Sequence, residues 1–169
     1  MMKGISFLVS LIILMIGLLS TVNAVDVTIT INGKVVAMPC TVSTPTVDIP
    51  LGTLSSSDFT TAGSTSAWHS FSLNLTNCPV GTSSVTATFS GTSDSSNSYF
   101  ANTAGDNNIA VQLADSNGNN LKNGSSQVVA VDDSSKSAVL NLEVRAITPQ
   151  GKVTQGKIQS VINVTYTYA

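Results

Sequence analysis

An all-β sandwich is the fold this sequence predicts, and three observations predict it. Apolar and polar residues alternate with period two in segment after segment. Clusters of Gly, Asn, Asp, Ser and Pro separate those segments. No stretch sustains the periodicity of an amphipathic helix.

Taken in order, the first alternating segment is residues 25–36. Val27, Ile29, Ile31 and Val35 alternate with Asp26, Thr28, Thr30, Asn32 and Lys34, and Gly33 stands in the apolar phase. One face of this strand is made to be buried. Residues 67–77 place Phe71, Leu73 and Leu75 opposite Ser70, Ser72, Asn74 and Thr76. Val85, Ala87 and Phe89 alternate with Thr86, Thr88 and Ser90, and Ile109, Val111 and Leu113 with Ala110, Gln112 and Ala114. A long strand follows, with Ala138, Leu140, Leu142, Val144 and Ala146 on one face. Residues 156–169 form the last strand, with Ile158, Ile162, Val164, Tyr166 and Tyr168 in phase and Ser160 interrupting. Turns are expected at 91–97, 115–120, Asn123-Gly124 and Pro149-Gln150-Gly151. Short alternating strands between such turns suggest a sandwich of the immunoglobulin type.

Residues 1–24 read as a secretory signal peptide rather than an uncleaved anchor. Lys3 supplies the positive start, residues 5–19 are almost wholly apolar, and Val22, Asn23 and Ala24 form a small-residue cleavage site. The apolar run is shorter than the roughly 20 residues a spanning helix needs. Loss of Lys3 with the leader leaves a net charge of about −3. No basic patch is present, so nucleic acid is not an expected partner. Only 9% of residues are charged, and Ser, Thr, Asn and Gly fill the polar positions. Disorder does not fit, because apolar alternation recurs along the chain and net charge is low.

Cys40 and Cys78 are the two cysteines. An even count in an exported chain suggests one disulfide, which would contribute roughly 3–4 kcal/mol in the chain-entropy view. A metal pair is the rival reading, and it lacks further ligands: His69 is the single histidine and no Cys-x-x-Cys occurs. Neither a metal nor a cofactor is expected. Catalysis is not expected either, since there is no Gly-x-Ser-x-Gly elbow and a triad would depend on His69 alone. Trp68 is read as core or rim packing, His69 as exposed, and Asp132-Asp133 as a solvated turn with too few oxygens for calcium.

Two features coincide: a spare strand at 25–36 and an abrupt final strand at 156–169. A domain short of one strand, completed by the spare strand of another copy or relative, accounts for both.

The residues that carry a family resemblance are DVTITINGKVVAMPCTVST (26–44), SAWHSFSLNLTNCPVGTSSVTATFSG (66–91), VDDSSKSA (131–138) and TQGKIQSVINVTYTYA (154–169), with the cysteine pair, Gly156 and the penultimate Tyr168. In these the chain resembles the pilins of chaperone–usher fimbriae, and within them the minor tip subunits of type 1 fimbriae. The resemblance implies an incomplete immunoglobulin-like sandwich of six strands, missing the seventh. It implies a division into signal peptide (1–24), N-terminal donor-strand extension (25–36) and pilin domain (37–169). Val27, Ile29, Ile31 and Val35 would enter pockets of a neighbour's groove, with Gly33 where the groove is shallow. Gly156, Ile158, Ile162, Val164, Tyr166, Tyr168 and Ala169 would border this chain's own groove and meet a periplasmic pilus chaperone, which would hold the Ala169 carboxylate. The further partners implied are the outer-membrane usher, the pilin domain of the tip adhesin and a neighbouring minor pilin. The chain would be a structural adaptor exported through the periplasm to fimbriae on the surface of a Gram-negative cell. Another minor pilin or a major shaft subunit is the alternative.

Overall fold

A computed structural model describes residues 30, 32–34, 38–105 and 108–169. The leader and the expected donor side chains Val27, Ile29, Ile31 and Val35 lie outside the described residues. Residues 30 and 32–34 are exposed and belong to no strand. The sandwich belongs to Val36–Ala169, a compact unit distinct from Met1–Val35.

Nine β-segments are described: β1 (Thr41–Val42), β2 (His69–Thr76), β3 (Ser84–Gly91), β4 (Phe100–Ala101), β5 (Ala110–Asp115), β6 (Asn120–Leu121), β7 (Ser126–Ala130), β8 (Ala138–Ile147) and β9 (Ile162–Tyr168). Six of them, β2, β3, β5, β7, β8 and β9, run for five residues or more, and the other three are two-residue pairings. One sheet has the order β1-β2-β8-β5-β4, with β6 also pairing β5; the other is β7-β3-β9. All pairings are antiparallel. In the larger sheet Phe71 faces Leu142 and Leu73 faces Leu140, and in the smaller Ala87 faces Tyr166 and Phe89 faces Val164.

The period-two pattern explains the core. Val85, Ala87 and Phe89 of β3 are each 0% exposed, while the hydroxyl residues between them point away. Leu75, Leu140 and Leu142 meet them from the other sheet. A second, smaller cluster sits around Phe59, Ile109 and Ala146, with Leu51, Leu54, Val153 and Ile158 packed on it. Phe59 reaches it from a short 3-10 turn, Ser56–Phe59, which the alternation does not predict.

Three expectations change. The last strand pairs only from Ile162, because residues 157–159 bond to the 102–105 loop instead of a strand: Thr103 N–H donates to Gln159 O (2.7 Å) and Asn102 Nδ2 to Lys157 O (2.9 Å). β5 is buried on both faces from Ala110 to Ala114 rather than alternating. Arg145, registered opposite Gln112, donates through Nε to Gln112 Oε1 (2.8 Å), and its guanidinium lies 4.0 Å from the Trp68 ring centroid. Gln112, bonded to this guanidinium, is buried. His69 is half-buried rather than exposed.

The turns fall where Asp, Asn and Gly cluster. Asp94 Oδ1 accepts from Ser98 and Tyr99 N–H groups, and Asp115 Oδ1 from those of Asn117 and Asn119. Burial pushes the Asp94 carboxyl up, but hydrogen bonds from Ser96, Tyr99 and Ser98 outweigh it and hold the group below its usual range. Asp132 accepts from Ser134 N–H and Oγ, the solvated turn expected there.

Cys40 and Cys78 are joined by a disulfide with Cα atoms 4.2 Å apart, tying the start of β1 to the end of β2. At the opposite end, buried Thr148 donates through Oγ1 to Asn108 O (2.7 Å) and accepts from Gly151 N–H (2.9 Å). Gly151 has φ +74°, and a Cβ there would lie 2.7 Å from Thr60 O and 2.9 Å from Ala62 N. Backbone cannot move aside as a side chain does. Gly151→Ala is therefore expected to cost about 1–3 kcal/mol through overpacking and strain. A urea midpoint that falls at unchanged slope is the expected readout; an unchanged midpoint would refute the clasp.

Candidate functional site

An open groove of about 950 Å³ runs beside β9. Its floor is apolar: Phe71 and Leu73 from β2, Phe89 from β3, Val111 and Leu113 from β5, and Leu142 and Val144 from β8. One wall is β9, through Ile162, Val164 and Tyr166, continued by Gly156 and Ile158. The other is residues 42–54, including Val47, Ile49, Leu51 and Leu54.

Both walls carry idle backbone. β9 pairs with β3 on one edge and with no described strand on the other. Ser43 N–H still bonds to Asn74 O (3.0 Å), but residues 44–54 make no backbone hydrogen bond to another described residue. Their N–H and C=O groups need water or an added strand.

The burial pattern measures what is missing. Ile162, Val164, Tyr166 and Tyr168 all point inward, yet each is only half-buried, whereas the inward residues of β3 beside them are completely covered. The inward phase persists through Ser160 and Ile158, beyond the paired strand. An apolar strand laid between the walls would complete the core. Among the described residues, the charged ones lining the groove are Asp48 and Lys157, one of each sign, so the lining favours an uncharged, apolar occupant.

The expected border residues fall as follows. Gly156, Ile158, Ile162, Val164 and Tyr166 line the groove. Tyr168 packs on the core beyond it. Ala169 is exposed, its O accepting from Ser83 N–H (2.7 Å), Ser84 N–H (3.2 Å) and Ser83 Oγ (3.2 Å). Of the expected donor residues, Gly33 is described, and it is exposed. The 42–54 wall escaped the sequence reading. Its signal is the short alternation Val47, Ile49, Leu51, broken by Pro50.

Among the described residues, the titratable side chains lining the groove are Asp48, Lys157 and Tyr166. Among the described residues no three of His, Cys, Asp and Glu gather as metal ligands, and no helix is long and apolar enough to cross a membrane. The tyrosines report the environment instead. Desolvation, with a smaller contribution from the charge of Tyr168, raises the Tyr166 phenol above its ordinary value, and desolvation raises Tyr168.

The sequence profile described as "Fimbrial protein" matches residues 29–169. Protein FimG of Escherichia coli K12 is 55% identical over 150 residues, which is 89% of this chain and 89% of that protein. The S-fimbrial adhesin protein SfaS of Escherichia coli O6:K15:H31 is 42% identical, over 94% of this chain and 97% of that one. A solved chaperone–usher pilus structure, concerned with rod uncoiling, superimposes with a TM-score of 0.66 at 25% identity, covering 89% of this chain and 99% of its own.

The raised phenols give the groove wall a pH dependence. A group whose folded pKa is raised favours folding while it is neutral. Its contribution is complete below the ordinary tyrosine value of about 10 and is lost as pH rises through the folded pKa. Stability should therefore fall in that window, and Tyr166→Phe should flatten the fall. Unfolding midpoints measured across the window check this; identical pH profiles for the two proteins would refute it.

Proposed function

This chain belongs to the fimbrial protein family and is a structural subunit of fimbriae, and on that premise we propose that it is a tip adaptor joined to its neighbours by strand exchange. The observation that carries the reading is the half-buried face of β9 opposite the unpaired 44–54 segment. A groove of that form is filled by a strand with alternating apolar side chains. Residues 25–36 of the same chain have that pattern and supply such a strand to a neighbour.

In this reading residues 1–24 are removed on export, 25–36 form the donor strand and 37–169 the pilin domain. Val27, Ile29, Ile31 and Val35 enter the neighbour's groove, and Gly33 takes its shallow position. Gly156, Ile158, Ile162, Val164, Tyr166, Tyr168 and Ala169 meet first a periplasmic chaperone and then, at the outer-membrane usher, the donor strand of the next minor subunit. The chain's own donor strand completes the pilin domain of the tip adhesin. The similarity to FimG supports the place at the tip. The role is mechanical rather than catalytic, and its site is the fimbria on the outer cell surface.

The test is incorporation. Ile29→Asp or Ile31→Asp puts an unpaired charge into an apolar pocket, at a cost of roughly several kcal/mol. Native mass spectrometry of the periplasmic fraction should still find a one-to-one complex with the chaperone, because the groove is untouched. Fibres should lose the subunit. Normal incorporation of either variant would remove the donor-strand assignment, and an abundant free monomer without any chaperone would show that the sandwich needs no completion.

A further inference from the structure

The sequence contains three Asn-Gly pairs: Asn32-Gly33, Asn117-Gly118 and Asn123-Gly124. Such a pair carries its own reaction. The glycine backbone nitrogen attacks the asparagine Cγ, a C–N bond forms, and the side-chain amide leaves as ammonia. Water then opens the five-membered imide at either carbonyl, giving aspartate or a β-linked isoaspartate. The reaction needs a free glycine nitrogen and a chain able to bring it onto Cγ.

Two of the pairs are locked against this. Gly118 N–H donates to Asp115 O (3.0 Å), inside a turn where the Asn117 N–H also donates to Asp115 Oδ1 (2.9 Å). Gly124 N–H donates to Phe89 O (2.8 Å), and Asn123 Oδ1 accepts from Gly91 N–H (3.1 Å). In both, the nucleophile is committed to a hydrogen bond and the backbone is fixed. Asn32 and Gly33 are exposed and outside any strand, and Gly33 N–H donates to no described residue. A Cβ on Gly33 would meet nothing within 4 Å.

We propose that Asn32-Gly33 is a site of spontaneous deamidation that limits how long an unassembled subunit remains competent to donate its strand. The consequence for assembly rests on the donor-strand reading; the chemistry does not. Isoaspartate adds one carbon to the backbone between Ile31 and Val35, so the apolar phase on its two sides no longer matches one groove. Either product adds a negative charge to a strand meant for an apolar site. Once the strand is seated, ladder pairing holds the backbone extended and the Gly33 nitrogen occupied, so an assembled subunit is protected.

The exported protein is held folded in mildly alkaline buffer at growth temperature, and each pair is followed by peptide mapping with isoaspartate detection. Asn32 should convert faster than Asn117 and Asn123 by roughly tenfold or more, the protection that local hydrogen-bonded structure confers. In concentrated urea the three rates should converge. Equal rates in the folded protein, or a ranking that persists in urea, would overturn the structural basis. Aged protein is then offered for assembly, and the modified fraction should be depleted in fibres relative to the unassembled remainder. Asn32→Ser, which has no amide to lose, should keep its incorporation on ageing. An equal modified fraction in both pools, or the same decline in Asn32→Ser, would overturn the assembly consequence. If Ile29→Asp incorporates normally while the Asn32 ranking holds, the donor reading fails and the modification site stands.

Discussion

The structure turns on one uncovered apolar face. β9 has a complete ladder with β3 on one side and, among the described residues, no partner on the other. Its inward side chains are consequently only half-buried, although the inward residues of β3 beside them are fully covered. Burial of apolar surface is the main favourable contribution to folding. A sandwich with an open strand position therefore forgoes part of its own stability until that position is filled. The same vacancy supplies its binding free energy, since the surface left uncovered is the surface an incoming strand covers.

Keeping such a groove open requires that its walls not close on each other. The Cys40–Cys78 disulfide fixes the start of the 42–54 wall to the end of β2. Pro45 and Pro50 remove two backbone donors, fix their own φ and restrict the residues before them. At the far end, Leu51, Leu54 and Ile158 pack onto the second cluster around Phe59, anchoring both walls there. The two walls are thus held at their ends and left unpaired between them. Interiors pack to near-crystalline density when nothing prevents it, so these end anchors explain how a groove of about 950 Å³ coexists with a close-packed floor.

Much of this was legible in the sequence because it rests on periodicity. β2, β3, β8 and β9 were all visible as alternating runs, whereas a groove beside β9 was expected only from the family resemblance. What escaped had either too few residues or a cause in three dimensions. β1, β4 and β6 are two residues long, and β7 shows only Gln127 and Val129 in phase while Val128 is 65% exposed. On the outer face of β5, Gln112 is bonded to Arg145, which stacks on Trp68, and those partners lie far apart in the chain. The shortening of the last strand depends on Asn102 and Thr103, which no local pattern connects to residues 157–159. The wall at 42–54 belongs to no strand beyond Val42, and its alternation, Val47, Ile49 and Leu51, is too short and too interrupted by proline to stand out.

The composition of β9 argues for what that edge is built to do. Proteins that keep a sheet edge to themselves protect it with a charge, a proline, a bulge or a very short strand. β7, the opposite edge of the same sheet, is five residues long and ends against the Asp132–Ser137 turn. β9 has none of these devices. Its seven residues, INVTYTY, contain no charge and no proline, and its outward positions are Asn163, Thr165 and Thr167, which hydrogen-bond without repelling a neighbour. Left in water, such an edge recruits whatever strand it meets. The composition that leaves this edge unprotected is thus the composition that lets it accept a strand.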